Sequence, residues 1–147
     1  MINLRIVCDD EKYMPQYAND TDACMDVKVC TNRSKTLITP GKTVVVGTGI
    51  KVAIPEDYVM LLFPRSSTGF KLHCMFANGT GIIDAGYRDE IKMALHNFGD
   101  YTVEIEDGQR IGQFMIIPRP KVNLVQVLDN EEFRLGDRQG GVGSTGK

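Results

Sequence analysis

The stretch Asn78-Gly79-Thr80-Gly81-Ile82-Ile83-Asp84-Ala85-Gly86-Tyr87-Arg88 sets a carboxylate, an aromatic ring and an amide on one tight reversal between two apolar runs. Its glycines, Gly79, Gly81 and Gly86, remove side chains that would keep a flat ligand away from the backbone. Asp84 offers a carboxylate able to take a proton at neutral pH, and Tyr87 a ring, each a few residues from that backbone slot. Taken alone, the stretch reads first as a surface hairpin whose Asp and Gly only make the turn.

Four other segments carry polar chemistry of a related kind. An apolar run, Tyr58-Val59-Met60-Leu61-Leu62-Phe63, leads directly into Pro64-Arg65-Ser66-Ser67-Thr68-Gly69. A strand ending in this way puts a guanidinium and several hydroxyl donors at one sheet edge, and a helix starting there adds free N–H groups. The planar fork of arginine suits phosphate oxygens; by itself the same string also describes a helix N-cap with a solvated arginine. Gly108-Gln109-Arg110-Ile111-Gly112-Gln113 is a tight turn feeding an apolar strand, with Gln113 an amide donor for a ligand and Arg110 an ion-pair partner. Asp26, within Ala23-Cys24-Met25-Asp26-Val27, is an aspartate in a strand-like setting, where that residue is disfavoured unless it has a task or a partner. Gly141-Val142-Gly143-Ser144-Thr145-Gly146-Lys147 imitates a glycine-rich nucleotide loop, but no Ser or Thr and no helix follow the lysine in this sequence, so that type of site is not expected. Its small residues still expose backbone N–H groups, and Ser144 and Thr145 add hydroxyls for phosphate oxygens.

The elements that must position these groups are strands. Pro40-Gly41, Pro55-Glu56-Asp57, Asn97-Phe98-Gly99-Asp100 and Asp107-Gly108 separate runs rich in Val, Ile, Leu, Met and aromatics. Strands are expected at 43–46, 49–54, 58–63, 90–96, 101–105 and 113–118, with the clearest period-two alternation in 90–96 and 101–105. Only 66–72 suits a short helix. The class is all-β, a jelly-roll-like barrel or sandwich. Residues 1–134 are expected to form one β domain and 135–147 a flexible C-terminal arm, since that polar, glycine-rich end cannot bury enough apolar surface to fold alone.

With 147 residues, 42% hydrophobic and 24% charged, the chain can bury a core without staples. A net charge of −2 speaks against a general nucleic-acid binder, so any anion site must be built locally. Cys8, Cys24, Cys30 and Cys74 form no paired spacing, and His73 and His96 supply no zinc pattern. The cysteines are expected as small buried hydrophobes in a reducing, cytoplasmic setting. Met1 to Asp10 does not read as a secretion signal, and no apolar run approaches membrane-spanning length.

In order and spacing the five segments resemble the five motifs of the trimeric dUTP diphosphatase (dUTPase) family, and the resemblance covers nearly the whole chain. Residues 23–27 look like the first motif, 64–69 the second, 78–91 the third, 108–113 the fourth and 140–146 the fifth. The core Gly81-Ile82-Ile83-Asp84-Ala85-Gly86-Tyr87 is the most specific of them. The resemblance implies a β jelly roll, a homotrimer with three shared active sites, and Mg²⁺-assisted hydrolysis of dUTP to dUMP and pyrophosphate. It implies that Asn78, Gly81, Ile82 and Ile83 receive uracil, that Tyr87 packs on the deoxyribose and excludes a 2′-hydroxyl, and that Asp84 activates the water attacking the α-phosphate. Arg65, Ser66, Ser67 and Gln113 would contact the triphosphate. Asp26 would reach Mg²⁺ through water, and Arg138, Val142, Gly143, Ser144 and Thr145 would close over the ligand from another subunit.

The chain departs from the family pattern in places. Val142 stands where an aromatic residue usually covers the uracil, which removes stacking typically worth ~1–3 kcal/mol per base. Arg138 lies one residue nearer the Gly140-Gly141 pair than in common members, with Asp137 at the usual place. Cys24 replaces a usual glycine and Val27 a usual leucine. Two other activities suit the same fold: a dCTP deaminase, which needs a glutamate base beside the pyrimidine, and a dUTP-gated regulatory protein. Glu90 is the glutamate nearest the hairpin on its C-terminal side and reads as a strand residue.

Overall fold

Short apolar runs broken by Gly and Pro fold as antiparallel strands, and the alternation of their side chains decides which face is inside. The computed structural model describes residues 2–128. In chain order it contains β1 (Arg5–Cys8), β2 (Met25–Lys28), β3 (Thr36–Ile38), β4 (Thr43–Gly47), β5 (Ile50–Ala53), β6 (Tyr58–Pro64), α1 (Ser66–Phe70), β7 (Cys74–Phe76), β8 (Gly81–Ile83), β9 (Lys92–Asn97), β10 (Val103–Ile105) and β11 (Arg110–Pro118). Four small sheets result, ordered β2-β11-β6-β8, β4-β9-β7, β1-β5 and β10-β3, with every pairing antiparallel. This is the all-β, jelly-roll-like architecture that the punctuation of the sequence predicts.

One core joins the sheets. Met93 and Leu95 of β9 point inward, as do Ile50 and Val52 of β5, while Lys92 and Lys51 point out. They meet Val27, Ile38, Met60, Leu62, Phe76 and Ile111, all buried. Buried Asn97 donates Nδ2 to the carbonyls of Ile38 and Tyr101, both at 2.8 Å, and accepts from the Gly99 amide at 2.9 Å. Its polar atoms are thereby satisfied, as a buried amide requires.

The expected strand at 90–96 begins two residues later, at Lys92, because Glu90 is drawn off to another task. Its Oε1 accepts the Thr48 and Gly49 amides at 3.0 and 2.9 Å. Strand 101–105 is shorter than expected, starting at Val103, since the Tyr101 carbonyl caps the Asn97 turn. The helix stops at Phe70. The cysteines also need correction: only Cys74 is buried, and Cys8, Cys24 and Cys30 are half-buried.

Asp107, in sequence only part of a turn, pins three segments together. It accepts from Tyr13 Oη at 2.8 Å, from the Thr31 amide at 2.8 Å and from Lys12 Nζ at 2.7 Å. Burial pushes its carboxyl up, but the bonds from Lys12, the Thr31 amide and Tyr13 together outweigh that and hold it well below the ordinary range. Burial pushes the Tyr13 phenol up to about 12, so it remains a donor. Asp107→Ala strands two of these donors and is expected to cost about 1–3 kcal/mol of stability near neutral pH. Because the folded-state pKa is depressed, Asp107 stabilises fully above the unfolded value of ~3.9 and loses that effect as pH falls towards the folded value. Urea melts at a series of pH values should therefore give a wild-type advantage that is constant above about pH 5 and shrinks steadily in acid.

Candidate functional site

β11 is the strand that gathers the site. Gln113 of β11 stands directly opposite Asp26 of β2 on one side and Phe63 of β6 on the other. β6 ends at Pro64, and the chain turns at once into α1, leaving Arg65 at the helix N-cap position beside the Asp26–Gln113 pair. Arg65 Nε lies 2.7 Å from Asp26 Oδ1, and Arg110 Nη1 donates to Asp26 Oδ2 at 3.1 Å. Asp26 is only 8% exposed, so two guanidiniums compensate the burial of its charge. Gln113 Nε2 donates to the Pro64 carbonyl at 3.1 Å, which holds its amide beside the β6–α1 turn.

These groups open onto a cavity of about 410 Å³ lined by Ala18, Asp22, Ala23, Cys24, Asp26, Arg65, Ser66 and Gln113. Four of the residues expected from sequence (Asp26, Arg65, Ser66 and Gln113) are thus brought together. Ser67 follows in α1 but does not line this cavity. Sequence reasoning missed Asp22 as a lining residue. Its carboxylate accepts the Asn19 amide at 2.9 Å, a local turn that the string Asn19-Asp20-Thr21-Asp22 announces. The Cys24 thiol in the same wall is pushed up by burial and then by the Asp26 charge, so it stays protonated at neutral pH and is no nucleophile.

The other expected residues form a second group. β8 pairs with β6 through Gly81↔Leu62, Ile82↔Leu61 and Ile83↔Met60, and it is the end strand of its sheet. Among the described residues no strand pairs with its outer edge, which presents a row of backbone donors and acceptors. A Cβ on Gly81 would stand a tight 3.1 Å from Leu62 Cβ, and Gly79 has φ of +71°, which favours glycine. The hairpin expected from sequence is an edge strand between two turns: β8 pairs with β6, while β7 and β9 lie together in another sheet. Asn78, Ile82, Asp84 and Tyr87 are exposed, and Ile83 is half-buried. Tyr87 donates its hydroxyl to the Glu90 carbonyl at 2.8 Å and its amide to the Asp84 carbonyl at 3.0 Å, which closes the turn behind the hairpin.

Asp84 and Tyr87 do not reach the Asp26–Arg65 cavity of their own chain. Asp84 follows Ile83, beside the Val59 end of β6, whereas Arg65 follows Pro64 at its far end. Six residues of strand separate those ends, roughly 20 Å at ~3.3 Å each. Neither Asp84 nor Tyr87 lines the Asp26–Arg65 cavity; Tyr87 lines another, with Asp9, Lys51, Asp89, Glu90 and Lys92. The expected arm contacts, Arg138, Val142, Gly143, Ser144 and Thr145, lie outside the described residues, as does the 134/135 boundary. Among the described residues no three His, Cys, Asp or Glu side chains cluster to hold a metal ion, and no helix is long and apolar enough to cross a membrane.

The family model described as dUTPase matches residues 10–146. The deoxyuridine 5'-triphosphate nucleotidohydrolase of Clostridium tetani is 38% identical over 146 residues, which is 99% of this chain and 97% of that protein. Among solved structures, the dUTPase of Staphylococcus bacteriophage 80alpha with dUPNHPP superposes with a TM-score of 0.84 at 27% identity, covering 100% of both chains. A mutant dUTPase from phage phi11 of S. aureus, solved for its coordination of a structural Mg(II) ion, gives 0.78 at 26% identity, covering 88% of this chain and 99% of that one. With a family model spanning almost its whole length and a full-length relative above one-third identity, the chain belongs to the dUTPase family.

Proposed function

We propose that this enzyme hydrolyses dUTP to dUMP and pyrophosphate in sites that adjacent copies of the chain build together. The observation that carries the reading is the division just described: Asp84 and Tyr87 follow β8 beyond the Val59 end of β6, and the anion cavity lies at the Arg65 end. A homotrimer, with the hairpin of one copy facing the cavity of the next, brings both groups to one nucleotide. The run after β11 supports association, since Val122, Leu124, Val125 and Leu128 are each at least 75% exposed and need a cover.

Each step follows from the chain's own groups. The outer edge of β8 pairs its backbone with the polar edge of uracil, assisted by Asn78; cytosine, with donor and acceptor exchanged, loses those bonds. The glycine-lined slot has no space for the thymine methyl. Tyr87, anchored through its hydroxyl to the Glu90 carbonyl, presents its ring to the deoxyribose. Asp84 takes a proton from water as the water oxygen bonds to the α-phosphorus. The bond from that phosphorus to the bridging oxygen breaks, and pyrophosphate leaves with the electron pair. Arg65, Ser66, Ser67 and Gln113 hold the β- and γ-phosphates and stabilise the charge that gathers there. Arg138, Val142, Gly143, Ser144 and Thr145 of the arm close over the nucleotide.

Mg²⁺ commonly binds phosphates and water with few protein ligands, and Asp26, the cavity-wall carboxylate between Arg65 and Arg110, would hold the ion through a water. When bound, the ion neutralises phosphate charge and polarises the α-phosphate. A cytoplasmic nucleotide pool is the setting this chemistry serves.

Incubation with Mg²⁺ and each of dUTP, dCTP, dTTP and UTP tests the reading. Pyrophosphate release from dUTP alone, with dUMP as the other product, is the expected result; deamination of dCTP would overturn it. The deaminase alternative is disfavoured because the Glu90 carboxylate is occupied by the Thr48 and Gly49 amides and is not free to act as base. A dUTP-gated regulatory role is a second reading. Its support is the likeness to the phage 80alpha enzyme, from work on phage dUTPases that control transfer of virulence genes.

A further inference from the structure

Arg110 and Gln113 are three residues apart in β11, and in a regular strand they would face opposite sides of the sheet. They do not. The register against β2 runs Arg110↔Lys28, then Gly112↔Val27 and Gln113↔Asp26, so one extra residue, Ile111, is accommodated between Arg110 and Gly112. Lys28 and Asp26 are two apart in β2 and share a face, and the bulge brings Arg110 onto that face with Gln113. From there its Nη1 reaches Asp26 Oδ2 at 3.1 Å.

The bulged residue has a second effect. The Ile111 carbonyl accepts the Arg65 amide at 3.0 Å and the Thr68 hydroxyl at 2.7 Å, and Thr68 is fully buried. The same irregularity therefore ties down the backbone of Arg65 and brings in the group that completes its counter-ion. Arg65 is ion-paired to Asp26, Nε to Oδ1 at 2.7 Å, and lines the cavity beside it. Asp26 in turn has its other oxygen held by Arg110, which is 51% exposed and lines a neighbouring hollow on the far side of the carboxylate rather than this cavity.

We propose that Arg110 is a positioning residue for triphosphate recognition: through Asp26 it fixes the rotamer of Arg65, so that the Nη pair meets phosphate oxygens already aimed. The inference rests on the reading of this cavity as the phosphate site and adds to it a residue that touches no substrate. Without Arg110 the Asp26 carboxylate can swing, and the fork of Arg65 swings with it. Arg110 also offsets the negative charge that Asp26 would otherwise present to an incoming polyanion. The loss should fall on the β- and γ-phosphates and leave the nucleoside end untouched.

Arg110→Gln tests this, with Arg110→Lys as the charge-retaining variant, using calorimetric binding of α,β-imido-dUTP and of dUMP in Mg²⁺, together with steady-state kinetics. In Arg110→Gln, binding of the imido analogue is expected to weaken about tenfold, the scale of one lost charge-assisted bond, with KM for dUTP rising in proportion. Binding of dUMP and kcat should stay within about twofold of wild type. Arg110→Lys should recover most of the analogue's affinity, since an ammonium can still hold Asp26 Oδ2. Unchanged analogue binding in Arg110→Gln overturns the proposal, and so does an equal loss for the analogue and dUMP, which marks general damage to the fold. A wild-type protein that fails to bind the analogue overturns the phosphate reading itself, and the proposal with it.

Discussion

Asp84→Asn is expected to lower kcat for dUTP by roughly 10²–10⁴-fold, the usual contribution of a positioned base, while binding of α,β-imido-dUTP stays close to wild type. The geometry favours so separable an effect. Asp84 is exposed at the end of β8, beyond the last paired residue of that strand, so the substitution removes no packing and disturbs no ladder bond. Asparagine has nearly the same shape and can still accept a hydrogen bond from water, but it cannot take the proton. The measurement is single-turnover dUMP formation beside calorimetric binding of the analogue. Turnover within about tenfold of wild type would remove Asp84 from the base role and direct attention to another carboxylate near the α-phosphate. The same variant separates enzyme from regulator, because a dUTP-gated partner interaction depends on occupancy of the pocket and survives the loss of turnover.

The sequence makes one half of this site far more legible than the other. Gly79, Gly81, Asp84 and Tyr87 lie within one nine-residue segment, so their proximity is a consequence of chain connectivity and can be read from spacing. Asp26, Arg65 and Gln113 are 39 and 48 residues apart in order, and only strand register brings them together. The register depends on the bulge at Ile111, which one-dimensional alternation does not reveal, since a regular β11 turns Arg110 to the wrong face. Glu90 illustrates the opposite failure. It continues the alternation of β9 and reads as strand, yet two backbone amides of the Thr48–Gly49 turn capture its carboxylate. Strands β1, β3 and β7, of four, three and three residues, are too short for periodicity to register. Asp107 was visible only as a turn former because its partners, Lys12, Tyr13 and Thr31, are distant in sequence.

If adjacent chains share each site, two inactive variants should restore one another. If Arg65 meets the phosphates as proposed, Arg65→Gln removes that charge while keeping an amide donor near Asp26, and alone it should lower kcat/KM by at least about 10²-fold, the scale of one lost transition-state donor. Asp84→Asn alone is nearly inactive. Consider a trimer in which the hairpin of each chain faces the cavity of the next. A site is intact only where an Arg65→Gln chain, with its native hairpin, faces an Asp84→Asn chain, with its native cavity. Two chains of one kind and one of the other always give one such junction, so every mixed trimer holds one intact site, and activity should return to about one third of wild type. Co-expression with two different tags and purification through both isolates those mixed trimers. Were Asp84 and Arg65 to serve the same nucleotide within a single chain, each chain would carry its own defect and no mixture would recover activity. The separation of the two residues along β6 makes the first outcome the expected one.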